Sequence, residues 1–406
     1  MQQPSCLTDL RCRVEVELLS DILPFWLKHS IDQIYGGFVG QIANDLAIDP
    51  HAHKGLILNA RILWTFSRAF AIYREDAYLQ AAHRAADYIA RHFWDAQFNG
   101  FFWMVDYLGR PVDTKKRIYG QAFVIYALVE YHRATRDTSA LEKAICLYGA
   151  VETAAHDERN QGYFETYERD WSLAQDQRLS GKDMDEKKSM NTHLHLLEAY
   201  AALLRVWNNA DLRTRLQELL HIFLHRIINP STQHFWTFFD EEWQPRSDHI
   251  SFGHDIEGSW LICEAAEIVG DAELRHTAEQ QAIRMAQAVY AEGIDADGGL
   301  LHEADPNGII DGNKHWWPQA EAVVGFLNAY QISGQEHFLQ AAQKSWEFID
   351  KYIIDHRRGE WFWRVSRDGV PSDDERKVDP WKCPYHNSRA CLEAMARIDH
   401  ILETAT

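Results

Sequence analysis

Gly120-Gln-Ala-Phe-Val-Ile-Tyr-Ala-Leu-Val-Glu-Tyr131 is apolar almost all the way round a helix, as a helix buried on every side must be. Leu141-Glu-Lys-Ala-Ile-Cys-Leu-Tyr148, further on, keeps its apolar residues to one stripe, the pattern of an outer helix lying on an inner one. Upstream of the pair is a glycine-aromatic turn, Asn99-Gly-Phe-Phe-Trp103. It runs through a few extended-looking residues into a polar bend ending at Pro111.

This unit repeats. Related turns occur at Tyr35-Gly-Gly-Phe38, Gln161-Gly-Tyr-Phe164, Gln233-His-Phe-Trp236, Gly298-Gly-Leu-Leu301 and Gly359-Glu-Trp-Phe-Trp363. With Gly37, Gly100, Gly162, His234, Gly299 and Gly359 as markers, the steps are 63, 62, 72, 65 and 60 residues. Inner-then-outer helical patterns recur at 192–207 with 212–228, at 258–269 with 272–290, and at 318–331 with 337–354. Each period is therefore one helix pair, and stacked pairs share a continuous core. The expectation is an all-α (α/α)6 barrel of six inner and six outer helices, with short β-hairpin-like turns, in a single domain over 8–402. In such a barrel one mouth collects the loops that enter the inner helices.

The chain has 406 residues, 46% of them hydrophobic, and a formal net charge of −19. That length suffices for a large core. The charge and the lack of a long basic run argue against nucleic acid and anionic membranes. No window approaches the roughly 18 apolar residues of a membrane helix, and the first residues show no basic region followed by an apolar core. Six cysteines form no CxxC pair and no disulfide-like spacing. The expected setting is the cytoplasm, as a monomer or weak homodimer. Fifteen Trp, 16 Tyr and 19 Phe supply faces that can stack on sugar rings or pack a core.

Candidate chemistry gathers at the inner-helix entrances. Ser251-Phe-Gly-His-Asp-Ile-Glu-Gly-Ser-Trp260 places His254 and Glu257 three apart, on one helical face. A carboxylate there would orient the imidazole and raise its proton affinity, as a general acid/base requires. His195 and His386 occur in similar settings far away in sequence. Arg61 interrupts an apolar run and must find anionic or carbonyl partners, or stabilise negative charge in a reaction. Trp316-Trp317 precedes Pro318 at another entrance, with Glu321 one turn in. The longest irregular stretch, Glu165–Ser189, accounts for the oversized step and reads as a lid or binding wall through Tyr167 and Trp171.

His193-x-His195 and His51-x-His53 are spaced to split across a helix, and there is no HExxH motif or Cys/His cluster. A metal centre would need residues distant in sequence; none is expected. Walker, Rossmann and GxSxG signatures are also missing.

Four segments, Lys188-Ser-Met-Asn-Thr-His-Leu-His195, Ser251-Phe-Gly-His-Asp-Ile-Glu257, Lys314-His-Trp-Trp-Pro-Gln-Ala-Glu321 and Trp381-Lys-Cys-Pro-Tyr-His-Asn-Ser-Arg389, resemble signature stretches of the cellobiose 2-epimerases, within the N-acylglucosamine 2-epimerase superfamily. The resemblance runs from the Tyr35 turn to Glu393 and takes in Lys54–Trp64 and Arg117-Ile-Tyr-Gly-Gln121. It implies cofactor-free epimerisation at C2 of the reducing-end glucose of a β-1,4-linked disaccharide: cellobiose to glucosyl-mannose, or lactose to epilactose. It further implies that His254 and His386 are acid/base groups on opposite faces of C2, with His195 assisting at O1. Arg61 would stabilise the enediolate and Glu257 would orient His254. Tyr119, Asn191, Trp317 and Trp381, with Glu321, would hold the sugar. Leu301-His302-Glu303 departs from the aromatic-rich stretch expected there, which leaves free mannose and glucose open as substrates.

The implied partners are small neutral sugars. A glycoside hydrolase on the same fold is the rival enzyme class, and it would need two carboxyls about 5–9 Å apart. A non-enzymatic sugar-binding barrel would use the aromatics but has no need of three histidines and an arginine.

Overall fold

In the computed structural model, residues 3–404 are described; Met1 and Gln2, the start of the stretch read for a leader, lie outside them. Thirteen α-helical segments make twelve rods. The inner six are α3 (Leu56–Tyr73), α5 (Ile118–Thr135), α7 (Met190–Val206), α9 (Phe252–Val269), α11 (Trp316–Ser333) and α13 (Tyr385–Thr404). The outer rods are α1 (Gln3–Glu17) with α2 (Leu23–His29), α4 (Asp76–Tyr88), α6 (Thr138–Ala155), α8 (Ala210–Ile222), α10 (Ala272–Glu292) and α12 (Glu336–Phe348). A π-helical turn, Leu18–Ile22, joins α1 to α2 as one rod. Each inner helix packs on the next, and α13 returns to α3, so the ring closes. The all-α (α/α)6 barrel is the fold.

The sequence pattern shows why. Inner helices such as α5 bury nearly every position, whereas α4 buries Tyr78, Ala81, Ala82, Ala85 and Tyr88, a single stripe. Inner-to-outer connections are two residues long in most repeats. In Arg136-Asp137 the first residue turns left-handed (φ +66°), and the Asp137 side chain caps the N–H groups of Ser139 and Ala140. Outer-to-inner connections are long, so all the bulky loops lie at the N-terminal ends of the inner helices. Helix α9 starts at Phe252, six residues before the sequence pattern turned helical, which puts His254 in the first turn of the helix and not in the preceding loop.

The six glycine-aromatic turns bridge outer to inner helices as expected, each closed by an antiparallel bridge such as Trp94 to Phe101 or Ile354 to Trp361. An Asp opens five of them and caps the turn's N–H groups, as Asp157 does for Arg159 and Asn160. A lysine just before the inner helix then reaches back to that Asp: Lys54 to Asp32, Lys116 to Asp95, Lys188 to Asp157 and Lys314 to Asp295. In the sixth repeat Lys377 pairs with Asp355 and Lys382 with Glu360. The fourth uses a different pair, His234 with Asp255. Gly162 shows how tight the turns are: at φ +76° an added Cβ would come within 2.4 Å of the Trp243 ring.

Short strands link the repeats around the mouth. The strand entering one inner helix pairs with the strand after the next turn: β2 (Lys54–Gly55) with β3 (Met104–Val105), which also carries β4 (Pro111–Asp113), and β5 (Lys116–Arg117) with β6 (Thr166–Tyr167). The same rule pairs β7 (Lys188–Ser189) with β8 (Phe238–Phe239) and β12 (Lys314–His315) with β13 (Arg364–Val365). It also pairs β9 (Ile250–Ser251) with β10 (Glu303–Asp305), which is extended by β11 (Gly308–Asp311). The circle is completed by β14 (Arg376–Val378) on β1 (Ile42–Ala43). At this seam the Trp26 indole donates to Glu360 at 2.7 Å and the Trp361 indole to Glu17 at 2.8 Å.

Candidate active site

A cavity of about 220 Å³ opens at the N-terminal ends of the inner helices. Its walls include Arg61, Tyr119, Asn191, His195, His254, Glu257, Trp317, Trp381 and His386. Nine of the ten residues singled out from the sequence therefore meet in one place. Helix periodicity explains the convergence. Counted seven residues on from Lys54, Lys116, Lys188, Ile250, Lys314 or Lys382, which stand two before their helices and three before α13, Arg61, Phe123, His195, Glu257, Glu321 and Arg389 occupy one slot, two turns into the barrel. His254 and His386 share the slot one turn nearer the mouth.

Arg61 is buried, and its guanidinium lies over the Phe123 and Tyr385 rings. It donates to the Tyr119 hydroxyl at 2.9 Å and to the Trp381 carbonyl at 3.4 Å, while its Nε has no partner. The positive charge is held by neutral groups and aromatic faces, with no carboxylate paired directly to it. Trp381 packs edge-on to Trp103 and against Tyr119. Asn191 presents a buried amide oxygen with no partner.

His254 and His386 both lie against Trp317, with ring centroids 4.7 and 5.6 Å from its own. Burial pushes the His254 pKa down to about 3. His386 is also held well below the usual histidine value, by burial and then by the charges of Arg61 and Arg389. Burial lowers His195 too, against the opposing pull of Glu198. All three are neutral imidazoles near neutral pH.

The supporting contacts differ from expectation in two places. Glu257 does not orient His254: the His254 Nδ1 pairs with the Ser251 hydroxyl at 2.7 Å, and Glu257 turns to the Arg389 guanidinium, with one oxygen 4.0 Å from His386. The His-x-x-Glu pairing does form at His195, whose Nδ1 is 3.0 Å from Glu198. Glu321 does not line the cavity. It is fully buried behind it, accepting from the Trp260 indole at 3.1 Å and lying 2.7 Å from His386 Nδ1. The physical cause is Arg389. Its buried guanidinium binds Glu198, Glu257 and Glu321 together and draws all three inward. Burial and the neighbouring Glu321 charge raise Glu257 to about 8, and burial raises Glu321 as well. At Glu198 burial opposes ionisation but is outweighed by Arg389 and by hydrogen bonds from His195 and Tyr385, leaving it at about 2.

The stretch Glu165–Ser189 forms a wall, but not through its aromatics. Trp171 turns away and donates to the Phe98 carbonyl over the neighbouring turn. The wall is Gln177, Arg178, Leu179, Asp183 and Met184, around a second cavity of about 110 Å³ that shares Asn191 and His254 with the first. The loop is anchored by Gln177, which is bonded to both the N–H and the carbonyl of Thr166. Trp316, read from the sequence with Trp317 at an inner-helix entrance, also lines the main cavity, as do Lys182, His302, His315 and Trp363, which the sequence reading did not single out; the recurring lysine-to-helix register places His315 there.

One mouth of the (α/α)6 barrel thus gathers imidazoles that can move protons, a fixed cation and indole faces on which a sugar ring can stack. The model of the N-acylglucosamine 2-epimerase (GlcNAc 2-epimerase) family matches residues 36–390, and the chain belongs to that family. It is 44% identical over 387 residues to a cellobiose 2-epimerase of Bacteroides fragilis, covering 95% of this chain and 98% of that one. Among solved structures it resembles a sugar epimerase from a ruminal bacterium, with a TM-score of 0.92, 39% identity and coverage of 95% and 98%. It is also similar to the cellobiose 2-epimerase of Bacillus thermoamylovorans, with a TM-score of 0.91, 39% identity and coverage of 96% and 100%. The chain is thus a carbohydrate epimerase, an isomerase.

Proposed function

We propose that this protein epimerises the reducing-end sugar of β-1,4-linked disaccharides such as cellobiose and lactose, interconverting glucose and mannose there without a cofactor. The observation that carries the reading is a pair of neutral imidazoles, His254 and His386, on one indole, in a cavity whose fixed cation is the buried Arg61. His195, backed by Glu198, assists the opening of the hemiacetal at O1. One imidazole removes the C2 proton, now acidic beside the aldehyde. The enediolate oxygen meets Arg61 and the positive ends of the inner helices. The opposite face then receives a proton from the other imidazole: His386 gives its Nε2 proton as protonated Glu321 resupplies Nδ1, whereas His254 gives one only from its imidazolium form, so each turnover begins with one proton shared between His254 and Glu321.

His386 can work in both directions through Glu321. As base, its Nε2 takes the C2 proton while the Nδ1 proton passes to Glu321; as acid, the two transfers reverse. The raised Glu257 and Glu321 carboxyls let this cluster keep the proton between transfers. The reaction is redox-neutral and asks for no nicotinamide.

The second cavity under the Gln177 loop supports a disaccharide over a free monosaccharide, because it offers room for a second sugar next to His254. A hydrolase is disfavoured because Glu257 and Glu321 are held by Arg389 and cannot flank a glycosidic bond. We take 8–402 as one catalytic domain, working in the cytoplasm as a monomer or weak homodimer on neutral sugars. Among the described residues no helix is long and apolar enough to cross a membrane.

The test is NMR of cellobiose and its mannose-ended epimer in deuterated water. His254→Asn and His386→Asn should each abolish epimerisation, yet each should still wash out the C2 hydrogen of one epimer only. His195→Asn should slow exchange from both. Near wild-type epimerisation in either C2-base variant would sink the two-base assignment, and glucose release would mean hydrolysis.

A further inference from the structure

We propose that His302, Asp311 and His315 form a binding site for a divalent first-row transition-metal ion in the wall of the main cavity. The β10–β11 hairpin builds it. Its register sets Glu303 opposite Asp311, and the His302 N–H donates to the Asp311 carbonyl at 3.2 Å, so the two residues sit side by side. Strand β12 then delivers His315. The imidazoles of His302 and His315 stack with centroids 3.8 Å apart and planes 13° from parallel. One ligand atom from each of the three residues lies within 4.8 Å of the other two.

The three groups converge without bonding one another. His302 Nδ1 and His315 Nε2 are buried with no hydrogen-bond partner, and Asp311 Oδ2 stands 3.8 Å from His315 Nε2. A buried polar nitrogen without a partner is unfavourable, and a shared cation would satisfy both. The surroundings suit a metal ligand set. Asn313 donates twice to Asp311 Oδ1, at 2.9 and 2.7 Å, leaving Oδ2 for the ion. The other nitrogen of His302, Nε2, is 3.2 Å from Glu303. That outer carboxylate fixes a tautomer with the Nδ1 lone pair free, as carboxylates behind metal-bound histidines do.

Two imidazoles and a carboxylate favour zinc and its neighbours over magnesium or calcium. Ligand atoms about 2.0–2.1 Å from zinc in a tetrahedral site stand roughly 3.3 Å apart. The group must therefore draw in, and the stacked rings must fan apart. Both histidines border the cavity, which leaves room on one side for that motion. The other cluster of this kind among the described residues, Glu257, Glu321 and His386, already surrounds the Arg389 cation, which repels an ion. His221 and His225, stacked at 5.8 Å on an outer rod, offer two ligands and must be removed from the measurement.

The experiment is equilibrium dialysis of the full chain carrying His225→Ala against zinc near neutral pH, followed by metal analysis. One tightly held zinc per chain is expected, and cobalt in its place should give a visible absorption band. His302→Gln and Asp311→Asn, each added to that background, should weaken zinc at least about tenfold, since even outer-shell losses cost roughly 10–100-fold, and should remove the cobalt band. No retained zinc, or equal retention by both variants, overturns the site. Circular dichroism checks each fold; should His302→Gln unfold, Asp311→Asn decides alone. The readout is metal retention, so it stands whichever sugar the enzyme turns over.

Discussion

At the scale of single residues, Arg389 governs the geometry around both Glu257 and Glu321. Arg389→Lys keeps one positive charge but cannot reach three carboxylates at once. The expected result is a folded enzyme with kcat at least about tenfold lower, a loss of about 1.4 kcal/mol in the transition state, and KM little changed, because no sugar contact is removed. A rise in KM alone would place Arg389 in binding instead. The histidines make a second prediction. Burial depresses His254 to about 3 and His386 in the same direction, so the bases are already unprotonated below pH 6.5. The acid limb of kcat/KM should therefore lie well under the ordinary histidine value, and a limb near 6.5 would contradict the depressed pKa values. Sequence reading found His254, His386, His195 and Arg61 because charged or basic residues stand out in apolar helices. It passed over Arg389, which stands one turn beyond His386 just as Glu257 stands beyond His254, and Glu198, which completes His195-x-x-Glu198. The i,i+3 rule says which side chains share a face. It cannot say which of several distant partners wins, and here a buried guanidinium outcompeted the nearer imidazole.

At the scale of elements, the helix pairs were legible because period and burial go together: all-apolar inside, striped outside. The sixfold turn was visible through its glycines and aromatics. The lysine that pins it was not, because a single charge before a helix looks like surface until its Asp is seen to be buried with it. The Glu165–Ser189 wall was anticipated through the wrong residues, Tyr167 and Trp171, since an aromatic in a loop does not reveal which side it faces. Gln177 is the anchor, and Gln177→Ala should loosen the wall by removing its bonds to Thr166. KM for cellobiose should rise several-fold while a mannose reaction, if present, changes little. An equal loss on both substrates would mean that the loop supports the catalytic centre itself.

At the scale of the molecule, buried titratable groups pull stability in opposite directions. Burial lowers His193, His254 and His302 to about 3 each; their folded pKa values are depressed, so their contribution is full above 6.5 and drains as pH falls. Burial raises Glu17, Glu165 and Glu257 to about 8 each; their contribution is full below about 4.5 and drains as pH rises toward 8. Between 4.5 and 6.5 the two sets offset one another. Above 6.5 only the carboxyls act, at up to about 1.4 kcal/mol per pH unit for each. The urea midpoint should therefore fall from pH 6.5 to 8, and a midpoint that rises over this interval would contradict the raised carboxyls. A last consequence comes from the seam where Trp26 meets Glu360 and Trp361 meets Glu17, residues 334 and 344 positions apart. A hoop must be cut twice before it parts. A single nick at Arg136-Asp137 would leave two pieces that still face each other across this seam and across α5 and α6, so they should remain one particle. Split halves made separately should find each other and restore a working mouth.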